Sequence, residues 1–186
     1  MRNKTFNVLF VCHGNICRSP MAEFILKHLV QKAKVAAGGR DLAEGINADC
    51  GIEDTRSAVE SGVPDVYVES AAVSVEEIGN PIYPPAKLCL SAHGVPFDKT
   101  KTARQVVRRD YNRFDLIVCM DEWNMRLIKR IIPEDPEGKI RLMMSFTGQS
   151  RDVADPWYTG DFEKTYQDLS ESCTALLKEI CASSCF

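Results

Sequence analysis

Five residues separate Cys12 from Arg18, and Ser19-Pro20 follow directly. A cysteine and an arginine at that distance suit phosphate chemistry if the chain between them folds into a tight loop. Backbone N–H groups of such a loop converge on its concave side, and a helix starting at its end adds a positive pole. The hollow fits a tetrahedral dianion. A sulfur at its base faces the same donors and is favoured as thiolate. A planar guanidinium grips two phosphate oxygens at once, where lysine offers only a point charge. A thiolate is already nucleophilic and needs no adjacent base to accept a phosphoryl group covalently.

Spacing alone decides little. About 0.5 such pairs arise by chance in a chain of this content, and the 8 cysteines do supply a second, Cys50 to Arg56. No apolar run precedes that one, and Glu53 and Asp54 inside it repel phosphate. The first follows Val8-Leu-Phe-Val-Cys12, which reads as a buried strand running into a loop.

That loop needs a strand before it and a helix after it. Residues 6–12 read as the strand. Pro20 suits a first helical position, with Met21, Phe24, Ile25, His28 and Leu29 on one face and Lys27, Gln31, Lys32 and Lys34 toward water. From about 35 to 64 the chain turns polar and Gly-dotted, which reads as a surface insertion with a short helix over 54–60. Further strands are expected at 65–72, 114–120 and 140–144. Helices are expected at about 84–93, 102–111, after an Asp121 cap, and over 162–180. Strands alternating with helices give an α/β fold: a single-domain, doubly wound, four-stranded parallel sheet in flavodoxin-like order, with helices on both faces. Ligands of such sheets sit at the carboxyl ends of strands, where the Cys12 loop falls.

At 186 residues one domain spanning 1–186 is expected, large enough for a continuous core. A net charge of −3 argues against nucleic acid or an anionic membrane as partner. No stretch approaches the ~18 apolar residues of a membrane span, and the first apolar run is too short for a signal peptide. Cys12 and Cys119 end apolar strands, while Cys173 and Cys181 lie in a helical pattern. That usage suits free thiols and a cytoplasmic location. No Cys/His spacing suggests ligands, so neither metal nor cofactor is expected.

Val11-Cys-His-Gly-Asn-Ile-Cys-Arg-Ser-Pro20, paired with the distant Asp155-Pro-Trp-Tyr158, resembles the low-molecular-weight protein tyrosine phosphatases. The likeness extends through Ser70–Ser74, His93-Gly94, Ala103-Arg-Gln and Phe114–Asp121. The resemblance implies that Cys12 is the nucleophile and that Arg18 clamps the phosphoryl oxygens and stabilises the transition state. His13, Gly14, Asn15, Ile16 and Cys17 then form the phosphate loop, and Ser19 donates to the Cys12 sulfur. Asn15 holds a strained backbone, pinned by Ser70 and His93. Residue chemistry alone leaves Asp155 a turn aspartate before proline, with Asp152 as its rival. The resemblance makes Asp155 the general acid for a phenolate leaving group, whose conjugate acid has a pKa of about 10, and then the base for water. Cys17 is implied to trap an oxidised Cys12 as a reversible disulfide, and Trp157 and Tyr158 to wall the substrate slot. The implied partner is a phosphotyrosine protein, a tyrosine kinase among the candidates, with the enzyme a monomer or weak dimer.

Two positions depart from the family pattern. Glu76 stands where the loop after the second strand usually carries an aromatic, and Tyr83 where an acidic residue is common. Ile16 separates the chain from protein arginine phosphatases, which resemble this scaffold but usually carry threonine there. An arsenate reductase needs a relay of two further cysteines, yet Cys89 has no close partner and Cys119 ends a strand. A phosphotyrosine-binding module on this fold would have lost the nucleophile, the arginine or the acid, and all three are present.

Overall fold

Val8, Leu9, Phe10 and Val11 are all fully buried, so their strand β1 (Phe6–Cys12) lies at the centre of a sheet covered on both faces. The computed structural model describes residues 5–38 and 63–183. After β1 come α1 (Arg18–Gly38), β2 (Val66–Ala72), α2 (Pro84–Ala92) and α3 (Asp110–Arg113). Then follow β3 (Leu116–Cys119), α4 (Glu122–Ile131), β4 (Ile140–Leu142), a 3₁₀ turn (Met143–Thr147), α5 (Pro156–Thr159) and α6 (Phe162–Ser183). The strands are parallel in the order β2-β1-β3-β4. This is the expected four-stranded, doubly wound α/β architecture. Among the described residues no helix is long and apolar enough to cross a membrane.

Alternate residues of β1 feed two cores, as a period of two requires. Val8, Phe10 and Cys12 pack with Met21, Leu26, Leu90 and Leu176, under α1, α2 and α6. Leu9 and Val11 pack with Phe114, Ile117 and Ile128, under α3 and α4. The chain leaves β1 for β2 on one side and returns to β3 on the other. That reversal opens a crevice at the carboxyl ends of β1 and β3. Cys12 ends the first of these strands, and Asp121 lies two residues beyond the second.

Several boundaries differ from the sequence reading. α1 starts at Arg18 rather than Pro20, with the Met21 amide on the Cys17 carbonyl at 3.1 Å. Pro20 still sits in the first turn, where a missing N–H costs nothing. The helix runs on through 35–38, the first residues assigned to the insertion; 39–62, with the expected helix over 54–60, lie outside the described residues. β4 stops at Leu142, because Met143 and Met144 turn inward and are fully buried in the 3₁₀ turn.

The helix expected over 102–111 does not form. Residues 103–106 run extended past the carboxyl end of β2. The Ala72 amide donates to the Arg104 carbonyl at 2.8 Å, the Val106 amide to the Ala72 carbonyl at 2.9 Å, and the Ala103 amide to the Asn80 carbonyl at 2.9 Å. β-branched Thr102, Val106 and Val107 favour that conformation. Only Asp110–Arg113 is helical.

Candidate active site

Asn15 shapes the loop between β1 and α1. Among the described residues it is the one non-glycine with positive φ, at 57°, a region asparagine tolerates better than most side chains. Its Nδ2 donates to Ser19 Oγ and Ser70 Oγ, both at 2.8 Å, and its Oδ1 accepts the Arg104 amide at 3.2 Å. Held this way, Asn15 turns its own amide onto Cys12 Sγ at 3.3 Å. Ser19 Oγ lies 3.1 Å from the same sulfur. Because Ser19 accepts from Asn15, its single proton is left for the sulfur or for the Ala71 carbonyl, the latter more distant at 3.4 Å. Gly14 lies close under Glu77: a Cβ there would meet Glu77 Cγ at 2.9 Å, so the glutamate side chain would have to move aside.

The support reaches deeper than the sequence suggested. Ser70 Oγ donates to Glu23 Oε2 at 2.6 Å, and Glu23, a buried carboxylate on α1, is paired with Lys27 at 2.5 Å and Lys101 at 3.1 Å. Lys101 Nζ also donates to the Ser70 carbonyl at 3.3 Å. Lys101 thus occupies the place expected of His93. His93 instead ends α2, stacked on Tyr166 with 3.6 Å between ring centroids and bonded to Glu163 at 2.8 Å. Cys89, His93 and Glu163 bring three metal-binding atoms within 4.8 Å of one another. However, His93 and Glu163 are already partners, and Cys89 donates to the Phe162 carbonyl at 3.5 Å, its thiol pushed up to about 11 by burial and by Glu163.

Arg18 is buried and doubly gripped. Nη1 donates to Asp121 Oδ2 and Nη2 to Asp155 Oδ2, each at 2.6 Å. Burial alone would lower its proton affinity, but negative charge on Cys12, Asp155 and Asp121 outweighs it and holds the guanidinium above its ordinary value. The two aspartates differ in freedom. Asp121 is fixed twice, since its Oδ1 also caps α4 by accepting the Asn124 amide at 2.6 Å. Asp155 caps the one-turn α5 through the Trp157 amide at 3.0 Å and keeps a quarter of its side chain exposed. Its rival Asp152 is engaged elsewhere, accepting the Glu122 amide at 3.0 Å. Cys17 is buried, and its thiol is pushed up to about 12 by burial and by the charge on Cys12.

Around Cys12 and Arg18 opens a cleft of about 660 Å³. His13, Gly14, Ile16 and Cys17 line it from the loop, and Trp157 and Tyr158 stand on one side, more than half exposed. Trp157 leans on Tyr83 at 5.4 Å between centroids. Sequence reasoning missed Trp123, which lines the cleft from the first turn of α4, and saw in Asp121 only a helix cap. Both follow β3, so the strand-end rule that picked out Cys12 could have found them. Residues 7–51 and 52–184 match the profile of the family described as low molecular weight phosphotyrosine protein phosphatase. The chain belongs to that family. The Homo sapiens low molecular weight phosphotyrosine protein phosphatase is 34% identical over 180 residues, 94% of this chain and 96% of its own. The crystal structure of YfkJ from Bacillus subtilis matches with a TM-score of 0.78 and 30% identity, covering 98% of this chain and 99% of the other. That of SP-PTP, the low molecular weight protein tyrosine phosphatase from Streptococcus pyogenes, matches with a TM-score of 0.68 and 35% identity over 94% and 92%. As a low molecular weight phosphatase the protein is a hydrolase of phosphoric monoesters.

The loop that carries Asp155 in this phosphatase is tied down by one buried carboxylate. Asp168 on α6 takes both Nη atoms of Arg151 at 2.7 Å, Lys164 at 2.9 Å and the Ala154 amide at 3.4 Å. Burial opposes its charge, but these donors outweigh it and bring the carboxyl down to about 2. The folded value lies below the unfolded one of about 3.9. The contact therefore stabilises the fold above about pH 4 and is lost as pH falls toward 2, with a contribution of about 1–2 kcal/mol at neutral pH. Asp168→Asn is expected to lower stability by that amount and to flatten its pH dependence between about 4 and 2. Urea titrations across that range measure both, and an unchanged slope refutes the assignment.

Proposed function

We propose that this phosphatase hydrolyses phosphotyrosine in proteins through a phosphocysteine intermediate. Cys12 Sγ, as thiolate, attacks phosphorus in line with the ester oxygen; the S–P bond forms and the P–O bond breaks. Asp155 gives its proton to the departing phenolate. Water then attacks the phosphocysteine, Asp155 takes its proton back, and phosphate leaves with the Cys12 thiolate restored. Loop amides and Arg18 hold the equatorial oxygens throughout, where charge develops. For this, phosphoryl oxygens take the Nη2 of Arg18 from Asp155, which places that carboxyl group beside the leaving oxygen, while Asp121 keeps the guanidinium in plane.

The observation that carries the reading is one sulfur, one guanidinium and one partly exposed carboxylate lining the same cleft, with Asp155 2.6 Å from Arg18. The apolar Ile16 and the aromatic walls suit a phenyl ester better than a phosphoramidate. The arsenate-reducing alternative fares worse: Cys119 is fully buried in β3 with its thiol held far above the ordinary range by burial, and Cys89 faces away toward Phe162. Free thiols at Cys12, Cys17, Cys89, Cys119, Cys173 and Cys181 support a reducing, cytoplasmic setting. Turnover of p-nitrophenyl phosphate and of a phosphotyrosine peptide, retained in EDTA and blocked by vanadate, is the expected result. Faster turnover of a phosphoarginine peptide, or reduction of arsenate at the expense of thiol, would replace this reading.

A further inference from the structure

The mouth of the cleft is acidic although its floor is built for a dianion. Its lining holds five carboxylates, Glu76, Glu77, Asp121, Asp152 and Asp155, against two basic side chains, Arg18 and His13. Asp121 and Asp155 match Arg18 at the floor. At the rim Glu76, its side chain 69% exposed, meets His13 at 3.1 Å as its one cationic partner among the described residues. Glu77 accepts from Asn80 Nδ2 at 2.7 Å and Asp152 from a backbone amide, contacts that add no positive charge. Three aromatic faces open at the same mouth: Trp123 is 54% exposed, Trp157 57% and Tyr158 86%.

A phosphoryl group seated on the loop is served by amides and Arg18, so the rim answers to whatever flanks the tyrosine. Clefts lined by one sign of charge concentrate the opposite sign, and exposed indole and phenol faces attract cations as well. An acidic flank meets repulsion from the same groups. We propose that the mouth selects phosphotyrosine flanked by lysine or arginine, with Glu76 and Glu77 setting the preference. The proposal rests on the phosphatase reading and names the substrate class for that site.

Two phosphotyrosine peptides of one length test it, one with arginine on both sides of the phosphotyrosine and one with glutamate. Each kcat/KM is divided by that for p-nitrophenyl phosphate with the same protein, so a general change in the chemistry cancels. The arginine peptide is expected to lead by about tenfold at low salt, a few-fold for each rim carboxylate, with the lead collapsing at roughly 1 M salt. Glu76→Gln with Glu77→Gln is expected to cut the lead to about twofold, and Glu76→Lys with Glu77→Lys to invert it. A native ratio near one, a glutamate preference, or a lead untouched by both pairs of substitutions and by salt overturns the proposal. Failure to hydrolyse p-nitrophenyl phosphate overturns the phosphatase reading itself, which is a separate outcome from hydrolysis without flank preference.

Discussion

Cys12→Ser is expected to lower turnover of p-nitrophenyl phosphate and of phosphotyrosine peptides by about 10⁴-fold or more. A serine hydroxyl is not ionised near neutral pH, and among the described residues the floor carboxylates, Asp121 and Asp155, are engaged by Arg18. The Ser19 hydroxyl and the Asn15 amide point donors at residue 12, at 3.1 and 3.3 Å, which favours a charged sulfur and does nothing to activate an alcohol. The change is nearly isosteric and the residue sits between well-packed neighbours, so the fold and phosphate binding should persist. Steady-state assays together with capture of a phosphotyrosine peptide by the variant separate lost chemistry from lost binding. Residual activity within a hundredfold of the native protein would remove the sulfur from the mechanism.

Asp155→Ala is expected to cost about 10²–10⁴ in kcat/KM for phenyl phosphate, which reports the first step alone; that is the usual worth of a positioned general acid. For p-nitrophenyl phosphate the loss in the first step is smaller, because nitrophenolate leaves without a proton. The two substrates should therefore diverge in the variant, with rate now falling steeply as leaving-group basicity rises. Asp152→Ala serves as the comparison, since Asp152 lies three residues away but holds the Glu122 amide. Equal losses for both esters, or an equal effect at residue 152, would displace Asp155 from the acid role.

Much of this site was legible because its signals are local. Val8–Val11 are apolar without a break, so β1 had to be buried on both faces, and the loop and helix that follow are contiguous with it. Asp155 could be named only through its likeness to a family, since a lone Asp-Pro reads as a turn. Contacts between distant segments were not legible. Residues 102–106 carry enough charged and apolar residues to mimic a helix, yet they pair with the end of β2, about thirty residues earlier. A histidine before glycine resembles the family's partner of Asn15, but the folded chain brings Lys101 to Ser70 and Glu23 and leaves His93 with Tyr166 and Glu163. Trp123 was overlooked because a tryptophan in a polar helical turn carries no periodic signal.

The hold of Asp155 on Arg18 has a consequence for the end of the catalytic cycle. A carboxylate held 2.6 Å from the guanidinium that is to grip phosphate acts as an intramolecular competitor at high effective concentration. In the proposed mechanism it would rebind the guanidinium as soon as an oxyanion loosens, so inorganic phosphate would be evicted rather than merely released, and accumulated product would clog the enzyme less. Truncating that side chain to alanine should therefore tighten product inhibition even as it slows turnover, and an unchanged phosphate inhibition constant would show that the carboxylate is a bystander to release.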